Sequence, residues 1–82
     1  MNPKQILSVV MPVYNEKETI LVMIGKVLKL DFVREVLVVD DGSTDGTRER
    51  LQEAPPDERV KLFFHERNQG KGAALRTGFA QA

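Results

Sequence analysis

Val36-Leu-Val-Val-Asp40-Asp41-Gly-Ser-Thr-Asp-Gly-Thr47 decides the fold. Four apolar residues run straight into two carboxylates, and small turn-formers follow. A short continuous apolar run that ends in turn chemistry reads as a strand buried on both faces, as in a parallel sheet. Ligands of open parallel sheets bind beyond the carboxyl ends of the strands. Asp40 and Asp41 fall there and are the first candidates for function.

Working outward, Ile6 to Val13 reads as strand 1, mostly apolar and β-branched, with Pro12 marking its end. Tyr14-Asn15-Glu16 is the turn, and Asn15 with Glu18 has capping-box spacing. Helix 1 is expected from about Glu16 to Leu30, with Ile20, Met23, Ile24, Val27 and Leu28 as its apolar stripe. Gly25 would allow close packing on the sheet. Val33 to Val39 is strand 2. Thr44 or Asp45 caps helix 2, which runs to about Ala54 before Pro55-Pro56 ends it. Val60 to Phe64 is strand 3. Helix 3 opens near Gly70-Lys71-Gly72, with Ala74, Leu75, Gly78, Phe79 and Ala82 on one face. The order βαβαβα implies a three-layer α/β unit with a parallel sheet, right-handed crossovers and strand order 3-2-1. That is half of a doubly wound, Rossmann-like nucleotide-binding fold.

The totals exclude several classes. Eighty-two residues make one small domain. Twelve basic and twelve acidic residues balance, so nothing suggests bulk attraction to nucleic acid. The absence of cysteine removes disulfides, thiolate metal sites and cysteine nucleophiles. Met1 to Gln5 lacks the order of a signal peptide, and Thr19 to Leu30 is too short and too charged to span a membrane. The expectation is a cytoplasmic protein, or one at the cytoplasmic face of a membrane. The last residues stop inside a helical pattern, which suggests a piece of a larger protein.

Three stretches can carry chemistry. Pro12 to Glu16 places Tyr14 for base stacking, although Asn15 and Glu16 also suit plain helix capping. Turn and cap chemistry explains Ser43, Thr44 and Asp45 but not the doubled aspartate; a carboxylate there can accept from a nucleobase or ribose. A calcium loop on Asp41, Ser43, Asp45 and Gly46 fails, because Gln52 stands where glutamate is required and a strand precedes it. Asn68-Gln-Gly-Lys-Gly72 opens a helix and suits an anion, but it is neither a P-loop nor a full dinucleotide fingerprint. Lys71 is as well explained as a solvated lysine as by a phosphate contact. His65, the single histidine, lacks acids at a metal-binding spacing, and Arg67 is an outside candidate.

Taken together, Val10-Met-Pro-Val-Tyr-Asn-Glu16, Val38-Val-Asp-Asp-Gly-Ser-Thr-Asp-Gly-Thr47 and Asn68-Gln-Gly-Lys-Gly-Ala-Ala-Leu75 resemble the start of the family-2 glycosyltransferases with the GT-A fold. The resemblance is particularly close to polyprenyl-phosphate mannosyl- and glucosyltransferases. It implies a βαβαβα half of the GT-A nucleotide-diphospho-sugar transferase fold, with residues 1–82 as the N-terminal, nucleotide-binding part of a catalytic domain. It implies transfer of a sugar from a UDP- or GDP-sugar donor to a polyprenyl-phosphate or saccharide acceptor. Pro12, Tyr14, Glu16, Val39, Asp40, Asp41 and Lys71 would bind the nucleotide sugar.

The family binds Mg²⁺ or Mn²⁺ through an Asp-x-Asp motif, and no Asp-x-Asp occurs here. The resemblance therefore assigns no catalytic or metal-ligating residue to this stretch, which is expected to be inactive alone. The competing readings are a non-catalytic nucleotide-binding module and a purely structural α/β unit. Strand 1 would form an unprotected edge, so a homodimer through strand 1 or a swapped element is expected.

Overall fold

A strand with apolar side chains on both faces needs cover on both sides, and the fold supplies it. The computed structural model describes residues 3–82, so Met1 and Asn2 lie outside the description. In chain order the elements are β1 (Leu7–Val13), α1 (Ile20–Leu28), β2 (Val33–Asp40), α2 (Thr47–Glu53), β3 (Val60–Phe64) and α3 (Lys71–Gln81). The three strands are parallel, with β2 between β1 and β3, which is the expected order 3-2-1.

Register assigns the faces. Val9 pairs with Val36 and Met11 with Val38, while Val36 pairs with Val60 and Val38 with Leu62. These side chains form one core with Ile20, Ile24, Val27 and Leu28 of α1 and Leu51 of α2. The alternate residues point the other way. There Val10 pairs with Leu37 and Pro12 with Val39, and α3 packs over β1 and β2. Val33, Val36, Leu37, Val38 and Val39 have no exposed surface. Each such burial contributes roughly 1.5–3 kcal/mol, so β2 is the energetic centre.

Several local expectations change. Pro12 itself stands as expected, last but one in β1. The Val13 carbonyl accepts from the amide of Asp41, just past β2, so the Pro12 nitrogen, one residue away, faces the open edge where no donor is needed. Helix α1 begins at Ile20, four residues later than expected; ahead of it the amides of Glu16 and Lys17 donate to Thr47 Oγ1 and Asp45 Oδ2, and those of Thr19 and Ile20 to the Glu16 carbonyl. Asn15 does not cap it; its φ is 52° and its Oδ1 accepts from the Thr44 amide. Met23 is 37% exposed, at the margin of the buried stripe, and Gly25 has no neighbour within 4 Å of a notional Cβ, so it makes no close approach. Phe79 is 65% exposed and leaves the buried face of α3 to Ala74 and Gly78.

Gly78 is the true close contact. A Cβ there would lie 2.3 Å from Val10 Cγ1. Valine is stiff at χ1, so the methyl cannot swing aside. Gly78→Ala should therefore destabilise the chain by about 1–3 kcal/mol despite alanine's better helix propensity, measured by urea unfolding. Equal or greater stability in that variant would contradict the packing.

Carboxylates staple the loops. Glu35 sits below the usual glutamate value because the Ser8 hydroxyl and Lys61 donate to it. Asp45 is lowered chiefly by the Thr47 hydroxyl, and Asp57 by the Arg59 amide and guanidinium. Carboxyls with depressed folded values add stability above their unfolded values and lose it as pH falls through the folded ones. Stability should be level near neutrality and fall steadily once pH drops below the ordinary values of 4.5 for Glu35 and 3.8 for Asp45 and Asp57. Urea midpoints across pH 7 to 2.5 check this, with a flat profile as the contrary result.

Candidate nucleotide site

The two loops at the carboxyl end of the sheet are sewn together by side chains. The Asn15 amide donates to Ser43 Oγ at 2.9 Å, and the Thr44 amide to Asn15 Oδ1 at 2.9 Å. Asp45 serves both helix starts: Oδ1 accepts from the Thr47 amide at 3.0 Å, and Oδ2 from the Lys17 amide at 3.2 Å. It thus fills the capping role expected of Thr44 or Asp45, although Gly46, with φ 104°, takes the cap position itself. Gly42, at φ 73°, lets the backbone of Arg67 and Asn68 approach; a Cβ there would lie 2.3 Å from the Arg67 carbonyl carbon.

The doubled aspartate resolves into two separate environments. Side chains at the end of a strand alternate between faces. Asp40 accepts from the Ser43 hydroxyl through Oδ1, is fully buried, and leaves Oδ2 without a partner among the described residues. Asp41 turns toward α3. Its Oδ1 accepts from His65 Nδ1 at 2.8 Å and the Gln69 amide at 2.9 Å, and its Oδ2 from the Gly70 amide at 2.9 Å. Burial is the largest single influence on Asp41 and pushes its carboxyl up. The hydrogen bonds from His65, Gln69 and Gly70 together outweigh it and hold the group below the usual aspartate value. His65 is completed by Thr77 Oγ1, 2.8 Å from Nε2.

Beside Asp41 lies a cleft of about 330 Å³ lined by Pro12, Val13, Tyr14, Asp41, Asn68, Lys71 and Ala74. It opens beyond the carboxyl ends of β1 and β2, where ligands of parallel sheets bind. A larger apolar groove of about 380 Å³ runs between α1, α2 and β3, but it lies away from the strand ends and their carboxylates. Of the seven expected residues, Pro12, Tyr14, Asp41 and Lys71 meet at the cleft. Val39 and Asp40 are fully buried and are not among its lining residues. Glu16 stands aside, with Oε2 accepting from the Thr19 hydroxyl at 2.9 Å. Val13, Asn68 and Ala74 are lining residues outside the expected set. The signal for Asn68 is the glycine-rich stretch, read for its cation and backbone rather than for its asparagine. Among the described residues no three histidine, aspartate or glutamate side chains converge to hold a metal ion, and no helix is long and apolar enough to cross a membrane.

Comparison with known proteins agrees with this architecture. The chain is 40% identical, over 82 residues, to the undecaprenyl-phosphate 4-deoxy-4-formamido-L-arabinose transferase of Pectobacterium atrosepticum, covering 93% of this chain and 25% of that protein. It is 39% identical, over 82 residues, to the polyprenol monophosphomannose synthase of Mycolicibacterium smegmatis, covering 96% and 31%. The solved mannosyltransferase PcManGT of Pyrobaculum calidifontis, in complex with GDP-Man and Mn²⁺, superimposes with a TM-score of 0.80 at 34% identity, over 92% of this chain and 24% of that one. The chain thus spans about a quarter to a third of the length of these relatives. Residues 8–82 match the family described as glycosyl transferase family 2, and the chain belongs to that family.

Proposed function

We propose that this chain is the nucleoside-binding part of a glycosyltransferase that moves a sugar from a UDP- or GDP-sugar to a polyprenyl-phosphate or saccharide acceptor. The observation that carries the reading is the cleft itself. An exposed aromatic ring, a carboxylate and a helix-start cation converge there at the carboxyl edge of a parallel sheet. The Tyr14 ring offers a stacking face to the base. Asp41 Oδ2 takes a single protein donor and so keeps acceptor capacity for a base or ribose hydrogen. Lys71 and the first amides of α3 favour the diphosphate. Val39 backs the cleft through its pairing with Pro12, Asp40 holds the adjoining Ser43 turn, and Glu16 holds Thr19 in the outer turn. The relatives whose names carry undecaprenyl phosphate or polyprenol support a lipid-phosphate acceptor, at a membrane surface.

A divalent cation, as in the complex of the Pyrobaculum enzyme, would need ligands that the described residues do not assemble. We therefore assign the transfer step and the cation to other parts of the catalytic domain. Residues 1–82 alone are taken to be inactive. Self-association of the 82-residue chain through β1 belongs to the same reading. β1 is an edge strand, and Pro12 confines new pairing to the segment before it. Sedimentation at high concentration should show a dimer, and a clean monomer removes that part.

The test of the site is a ¹⁵N–¹H titration with UDP, GDP and AMP, with and without Mn²⁺. Saturable shifts should appear at Tyr14, Asp41, Asn68 and Lys71 with one of the diphosphates. Tyr14→Ala and Lys71→Ala should each weaken binding about tenfold, the scale of a lost stacking or charge-assisted contact. A folded protein whose spectrum does not move with any of the three ligands would refute the reading.

A further inference from the structure

His65 and Thr77 lie outside the cleft lining, yet they complete the network behind it. The His65 side chain is 10% exposed and the Asp41 side chain 4%. The partners assign the proton of the neutral ring. Nδ1 faces a carboxylate and carries the hydrogen, while Nε2 accepts from the Thr77 hydroxyl. The same carboxylate takes the amides of Gln69 and Gly70. One buried acid therefore connects the end of β2, the start of the β3–α3 turn and the middle of α3.

The start of that turn, Arg67 and Asn68, packs on Gly42, whereas its end at Gly70 is held by hydrogen bonds. Gly70 adopts φ 96° and has no atom within 4 Å of a notional Cβ. Its amide is shared between Asp41 and Asn68 Oδ1. The cleft residues Asn68 and Lys71 flank these two anchored amides.

We propose that His65 and Thr77 are positioning residues of the nucleotide site: through the Asp41 carboxylate they set where the Asn68–Lys71 backbone stands relative to Tyr14. The inference rests on the proposed nucleotide reading for its functional consequence, and on geometry alone for the latch. His65 touches no ligand in this scheme. It keeps Asp41 from rotating away from Gln69 and Gly70, so that the turn is already in place when a diphosphate arrives. Such pre-organisation appears as tighter binding, because less ordering remains to be done.

The substitutions separate the two ring nitrogens. An asparagine amide reaches about as far as Nδ1, and a glutamine amide about as far as Nε2. His65→Asn should keep the Asp41 bond, whereas His65→Gln and His65→Leu should lose it. Two readouts on the full chain are needed: amide hydrogen exchange at Gln69 and Gly70, and the affinity for GDP and UDP by calorimetry. In His65→Gln and His65→Leu, exchange at both amides should accelerate, and binding should weaken, by about tenfold each. His65→Asn should stay within about threefold of the unsubstituted protein. Thr77→Val, which should leave the fold intact, should show a smaller change in the same direction.

A merely structural histidine would make Asn and Gln equally harmful, in proportion to lost thermal stability, and that outcome overturns the proposal. So does unchanged exchange in His65→Leu. If the unsubstituted protein binds neither nucleotide, the functional reading falls, and the latch is then decided by the exchange data alone.

Discussion

A carboxylate taken out of water at the end of a strand needs hydrogen-bond donors to stay charged, and Asp41 is the group on which this constraint falls. Three donors reach it, one from a side chain and two from the backbone of a distant turn. Desolvation alone would favour the protonated form; the donors reverse that preference. The acid is thereby kept charged in the one place where its charge organises a cleft wall. Loss of any one donor leaves the others to compete for a poorly held group. This asymmetry, costly to break and modest to make, is the general property of buried hydrogen bonds.

The rest of the architecture brings that carboxylate to its position. β2 is covered by α1 and α2 on one side and by α3 on the other, so its axis is fixed by packing. Its last residues project from the sheet between two loops whose side chains accept from each other's backbone amides. Adjacent aspartates would repel if they shared a face. Strand alternation sends Asp40 toward Ser43 and Asp41 toward His65. One pleat thus turns a repulsive pair into two separately satisfied acids, apart from the single unpartnered oxygen of Asp40.

Much of this was legible in the residues. The apolar run of β2, the parallel order and the span of β3 follow from pattern and alternation, and they hold to within a residue or two. What could not be read locally depends on partners far along the chain. The turn ahead of α1 is held by Thr47 and Asp45, some thirty positions away, which take the Glu16 and Lys17 amides. The capping-box spacing of Asn15 and Glu18 is present in the sequence, but Asn15 is already engaged with the second loop. Phe79 fits the helical period of Ala74 and Gly78 yet extends past the sheet they cover. For the candidate cleft, position at the strand ends singled out Pro12, Tyr14 and Asp41, and the glycine-rich helix opening singled out Lys71. Asn68 and the bonds of His65 need tertiary knowledge, because no short-range spacing links residue 41 to residues 65 and 77.

The central claim is that the ligand of this chain sits at the carboxyl edge of β1 and β2, and it is tested most directly by an experimental structure of the protein soaked with GDP or UDP. The account predicts the base against the Tyr14 ring and Asp41, with the diphosphate at Lys71 and the start of α3. A nucleotide bound in the groove between α1 and α2, with the Tyr14 cleft empty, would contradict it.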